Sequence, residues 1–229
     1  MAQLSSRSNR SSSTLAHGRM NGHSPSNEVR AQLRKLAAAK NDLKTELEAV
    51  RSFQWANKHL IVDSRNFYPT LFRALLASMD ITRADFGNLQ LLDESKGTLK
   101  IVVQNGFGPR FLDFFNSVHP GQATCGTAMK KLQSIFVKDV TASPIFRDNE
   151  TVEVMLDAES RSVRSFPLIT KSGRLVGVMS SLYRASTACT GEQIFVAETL
   201  AKHVANFIER SEIPNDALAS LATVQPSQV

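Results

Sequence analysis

Residues 162–184, SVRSFPLITKSGRLVGVMSSLYR, decide the fold. Val163, Phe166, Leu168 and Ile169 form one apolar run, and Leu175, Val176, Val178 and Met179 form a second. Lys171-Ser172-Gly173 between them is a turn signal, so the stretch reads as a β-hairpin. The second run is apolar at odd and even positions around Gly177, whereas a strand with one wet face alternates. Both its faces are expected to be covered. Pro167 lacks a ladder donor and marks an edge, a bulge or an irregular start in the first strand.

Outward from the hairpin, the spacing predicts strands over 85–92 and 98–104, joined by the turn formers Asp93–Gly97. Short helices follow over 109–115 and 123–131, then a strand over 134–138, a polar loop over 141–150 and a helix over 151–158. Upstream, Phe67, Leu71, Leu75 and Met79 repeat at four and predict a helix over 66–80, with Pro69 in its first turn. Downstream, Thr190 and Gln193 form a capping-box signature. The last helix carries Phe195, Val196, Leu200, Val204, Phe207 and Ile208, and Ile213-Pro214 is expected to end it.

Further upstream, Val29, Leu33, Leu36, Leu43, Leu47 and Val50 recur at steps of three and four, with Lys40 at the remaining seam position. This is a heptad seam that predicts a coiled-coil-like helix over 28–62, either dimerising or packed on its own domain. Phe53, Trp55, Leu60, Ile61 and Val62 extend its apolar face. The fold class is therefore α+β: a central antiparallel sheet of five to six strands with helices on both faces, preceded by a long N-terminal helix. Residues 1–27 read as a disordered basic, Ser-rich tail, 63–213 as the domain and 214–229 as a flexible tail.

The chain has 229 residues, 42% of them hydrophobic, enough for one sizeable core. No apolar run approaches the roughly 18 residues that cross a bilayer, and no continuous apolar segment opens the chain. A soluble, cytoplasmic protein without membrane contact is expected. Cys125 and Cys189 are too few for a disulfide framework or a structural zinc site. Of the +6 net charge, residues 1–27 hold three Arg and no acid, and residues 28–62 hold seven basic against four acidic residues. This leaves 17 of each sign beyond. A basic arm of this kind suits nucleic acid, anionic lipid or an acidic partner, but it lacks aromatic residues to stack on bases, which favours a solvated tail and helix face.

The succession Ala84–Asp93, Gln104–Phe107, Phe111–Phe115, Cys125–Ala128, Val137–Val140, Ser143–Phe146, Ser165–Leu168 and Gly173–Val178 resembles the GAF domain, in order and spacing, across roughly residues 64–212. The resemblance implies a small-molecule-sensing module of bacterial signalling, with the first and last helices on one sheet face, often forming a dimer bundle. Loops on the other face would roof a ligand pocket. The implied partners are an unknown small molecule, a second copy through the helices and a separate histidine kinase or other output protein. No output domain is expected after Glu212.

Candidate pocket residues are Phe86, Asn88, Gln104, Phe107, Phe111, Cys125, Thr127, Phe146, Arg164 and Ser165, a mostly apolar set with a few polar groups, as small-molecule recognition requires. The cofactor is unknown and no metal is expected. Cys125 precedes a predicted helix whose N-terminal amides would stabilise a thiolate, which makes it a redox candidate. A Cys125–His119 pair is a weak nucleophile-base arrangement. No complete catalytic constellation is found, and a non-catalytic sensor is the expected function. The alternatives are a protein-binding adaptor or a thiol-dependent reductase of the free methionine sulfoxide type centred on Cys125. That GAF branch clusters cysteines, and residues 141–165 contain none.

Overall fold

The structure, a computed structural model, describes residues 27–59, 64–146, 149–186 and 189–211. The expected basic tail, part of the linker and the C-terminal tail lie outside the described residues, as do the side chains of Phe53 and Trp55.

Strands β1 (Phe86–Asp93), β2 (Thr98–Asn105), β3 (Ile135–Val137), β4 (Ser162–Ile169) and β5 (Leu175–Tyr183) form one antiparallel sheet in the order β2-β1-β5-β4-β3. The β4–β5 hairpin closes through Thr170 N–H on the Arg174 carbonyl at 2.9 Å. Central β5 is buried at every residue after Leu175, so both its faces are covered. Its apolar doublets have a specific cause. Leu168 pairs with Gly177 but Ile169 pairs with Leu175, so Val176 is an extra residue that joins Met179 on one face. A matching slip in β2 leaves Val102 without a partner in β1 and puts Val102 and Val103 on that same face. Pro167 lies past the end of β3, where β4 has β5 on one side only.

Among the described residues the helices are α1 (Asn27–His59), α2 (Ser64–Thr82), α3 (Pro109–Phe114), α4 (Ala123–Lys131), α5 (Asn149–Asp157) and α6 (Gly191–Glu209). Helices α2 and α6 cover one sheet face, where Phe67, Leu71, Leu75, Leu200, Val204 and Phe207 pack on Leu89, Leu91, Phe166 and Met179. Helices α3, α4 and α5 cover the other. Thr190 caps α6 through the complete capping box, its hydroxyl accepting from Gln193 N–H at 3.2 Å.

Two helix limits differ from the sequence reading. Helix α2 begins at Ser64, so Pro69 sits beyond the first turn and the Arg65 carbonyl loses its helical donor. Helix α6 ends at Glu209 rather than near Pro214, because Ser211 binds the Ile208 carbonyl with both its hydroxyl, at 2.6 Å, and its N–H, at 3.0 Å. Residues up to Ala39 form one unit and those from Lys40 a second. In the first, Val29, Leu33 and Leu36 are 43%, 55% and 66% exposed. In the second, Leu43 and Leu47 pack against the α2–α6 core.

Gly177 sets the spacing of β1 and β5: a Cβ there would lie 2.2 Å from the Gln90 carbonyl oxygen. Backbone cannot yield as a flexible side chain does. Gly177→Ala is expected to destabilise the protein by about 3 kcal/mol, read from the urea midpoint; an unchanged midpoint would show that the two strands separate freely.

Candidate functional site

The face under α3–α5 carries a small hollow. Asn88 and Gln90 of β1, Val163 of β4, and Ser180 and Leu182 of β5 make its floor. Phe111 of α3, Phe115 just after it, Ala123, Thr124 and Cys125 of α4, Phe146, and Met155 of α5 make its roof. Its volume is about 20 Å³, room for one water-sized group.

The roof is built by local sequence. Pro109 opens α3, and Phe107, Phe111 and Phe115 recur at four, so their rings form a row with centroids 3.9 Å and 4.5 Å apart. Arg110 on the outer side of α3 pairs with Asp157 of α5, and with Glu153 at 4.0 Å. These charges are more than half exposed and contribute little stability, but they fix which helices meet.

Helix α4 is held by the turn before it. Gly121 N–H donates to the Gly126 carbonyl at 2.7 Å, and Gln122 Oε1 accepts from His119 N–H at 3.0 Å. A Cβ on Gly126 would stand 2.2 Å from the His119 carbonyl oxygen, so only glycine lets the turn lie against the helix. Ala123 takes φ +48°, a left-handed backbone that costs a residue with a Cβ roughly 1 kcal/mol. The Thr127 hydroxyl donates to its carbonyl at 2.6 Å and holds it there.

The polar groups of the hollow are incompletely matched. The Ser165 and Ser180 hydroxyls share a hydrogen bond of 2.9 Å. Asn88 Oδ1 and Gln90 Oε1 are buried and have no partner. Each such orphan costs about 1–3 kcal/mol. The Cys125 thiol is pushed up to about 11 by burial, which outweighs the amides of Cys125 and Gly126 and the Gln90 side chain. It is therefore a neutral thiol near pH 7, and the helix terminus does not make it a thiolate.

Of the residues singled out in the sequence, Asn88, Phe111, Cys125 and Phe146 meet at the hollow. Phe86 and Phe107 belong to the aromatic core beside it, Phe86 with the Arg184 guanidinium 4.4 Å over its ring. Gln104 accepts from Phe107 N–H at 3.0 Å and shapes the turn into α3. Thr127 serves the α4 backbone, and Ser165 supports Ser180. Arg164 alternates with Val163 and Ser165 and so lies on the α2–α6 face. His119 is exposed, whereas Cys125 is buried. Cys189 instead bonds the Tyr183 hydroxyl at 3.4 Å and the Thr82 carbonyl at 3.7 Å. Gln90, Phe115, Met155 and Ser180 were not among the candidates. Strand alternation from Phe86 and Asn88 reaches Gln90, but nothing local marks Met155. Among the described residues no cluster of three His, Cys, Asp or Glu could hold a metal ion, and no helix is long and apolar enough to cross a membrane.

A family model described as the GAF domain matches residues 66–209. The chain belongs to the GAF family. Solved structures agree on the fold of this GAF domain. It resembles the GAF domain of a phosphoenolpyruvate-protein phosphotransferase from Coxiella burnetii at 17% identity and TM-score 0.60, over 73% of this chain and 94% of that one. Free methionine-R-sulfoxide reductase from Neisseria meningitidis, solved with its substrate, matches at 18% identity and TM-score 0.59, over 74% and 91%. A domain described as belonging to a two-component sensor histidine kinase from Sinorhizobium meliloti 1021 matches at 23% identity and TM-score 0.51, over 60% and 87%. No curated protein matches the chain.

Because the folded thiol keeps its proton to higher pH than an unfolded one, its contribution to stability is complete below pH 9 and lost as pH rises towards 11. Cys125→Ala is expected to remove roughly 2–3 kcal/mol of that loss, measured as the difference between the two proteins' urea stabilities at pH 8 and pH 11. Equal losses in both would place the titration elsewhere.

Proposed function

We propose that this GAF domain is a non-catalytic sensory or regulatory module of bacterial, cytoplasmic signal transduction. A small molecule in the hollow would bias how the N- and C-terminal helices pack, and those helices would pass the state to a second copy or to an output protein such as a histidine kinase. The observation that carries this reading is the pair of orphaned amide oxygens, Asn88 Oδ1 and Gln90 Oε1, on the floor of a mostly apolar hollow. A ligand with N–H or O–H groups satisfies both, which offsets a cost that the protein alone leaves unmet. Since the hollow takes only one water-sized group, anything larger must displace Phe111, Phe115 or Phe146. Binding is thereby coupled to the seating of α3 and α5.

The same geometry weighs against the reductase reading. A thiol that holds its proton to about pH 11 is a poor nucleophile at neutral pH. Cys189, the other cysteine, is engaged with Tyr183 and Thr82.

Native mass spectrometry of the full chain tests the pocket. A retained small molecule is expected, and Gln90→Leu should lose it while gaining about 1 kcal/mol of stability from removal of the orphan. Bare mass for the unaltered protein would count against a tightly held ligand. For the output, the exposed Val29, Leu33 and Leu36 suit a helix that pairs with a second copy. Light scattering is expected to give a dimer for the full chain and a monomer for Leu33→Lys with Leu36→Lys; monomers in both would remove the dimer route.

A further inference from the structure

Arg164 of β4 is a charge without a counter-charge. It is 5% exposed, its Nε is sealed from solvent, and among the described residues its guanidinium makes no hydrogen bond or ion pair. Its one close support is the Phe136 ring, 4.1 Å from the guanidinium carbon to the centroid. Charged side chains are almost never this buried unless paired, and arginine cannot shed its proton to escape the cost. A cation over a ring gains about 2 kcal/mol when desolvated, against a penalty of several kcal/mol for an unpaired buried ion.

The surroundings are polar. Ser181 lies directly opposite Arg164 on β5, and its hydroxyl is 3.0 Å from that of Thr82, which donates to the Ser78 carbonyl at 2.7 Å. Tyr183, the next residue on that face, is buried, and its hydroxyl bonds the Cys189 sulfur at 3.4 Å. On the other side of Arg164 along the strand, Phe166 opens a groove of about 210 Å³ lined also by Ser134, Pro167, Glu198 and Lys202. The Glu198 carboxylate is already taken by the Ser134 hydroxyl at 2.7 Å. Beside Arg164 runs β3, a three-residue edge strand whose Phe136 is 40% exposed.

We propose that Arg164, with the Ser181 hydroxyl opposite it, is a binding site for a small oxyanion, a phosphate or carboxylate group, on the sheet face opposite the hollow. The guanidinium offers a fork of donors matched to two oxygens, and the anion supplies the charge that the fold does not. The site stands independently of the hollow's ligand.

Thermal unfolding of the full chain in inorganic phosphate, succinate or acetate, each against chloride at equal ionic strength, tests this. At least one oxyanion is expected to raise Tm by about 3–6 °C at tenfold excess over its dissociation constant. Phosphate alone would indicate a phosphorylated ligand, and a carboxylate alone a carboxylic acid. Arg164→Met is expected to unfold at higher temperature in chloride and to lose the response. A response of equal size in Arg164→Met, or none beyond chloride in the unaltered protein, overturns the site. Should the variant fail to fold, the side-chain Nε–H resonance of Arg164 in the unaltered protein decides: it moves on titration with the active anion, or the site is absent.

Discussion

The close approach of β1 to β5 governs both faces of this sheet. Gly177 lets the Gln90 carbonyl come where a side chain would otherwise stand, and the residue whose backbone makes that contact sends its amide into the hollow. The same pairing sets the alternation that puts Asn88 and Gln90 under α4 and Leu89 and Leu91 under α2 and α6. A slip of one residue would exchange the two sets, burying amides among the helix side chains and leucines in the hollow. Sheet spacing and site chemistry are thus one constraint.

Local signals made most of the fold legible. The β4–β5 hairpin, the α6 capping box and the span of α4 follow from residues within a few positions of one another, and the structure has all three. The bulges at Val102 and Val176 were not legible, since an extra residue is defined only by the strand opposite. That explains the site's uneven reading. Arg164 and Ser165 are neighbours in sequence, and only the register with β5 says which faces the hollow. The state of Cys125 was hidden for a related reason. Its helix terminus is local, but the phenylalanines that desolvate it come from α3 and from the segment before α5.

The roof and the floor are built to different tolerances. The floor is strand backbone locked by close contact. The roof is three short helices joined by turns, pinned by exposed ion pairs and by the Gly121–Gly126 bond. In the proposed reading a ligand that displaces an aromatic ring acts first on the roof, and α6 packs on β4 and β5 behind it.

This sets what a signal could be. Helices α2 and α6 pack on the sheet and do not line the hollow, so in the proposed coupling the strands stand between ligand and helices. Small side chains, Ala74 on α2 and Ala197, Ala201 and Ala205 on α6, let the helices approach closely, with the Phe67 and Phe207 rings stacked beside them. Leu43 and Leu47 rest on that same core. In the proposed signalling route, the end of α1 that meets the core is therefore the part placed to register the pocket's state.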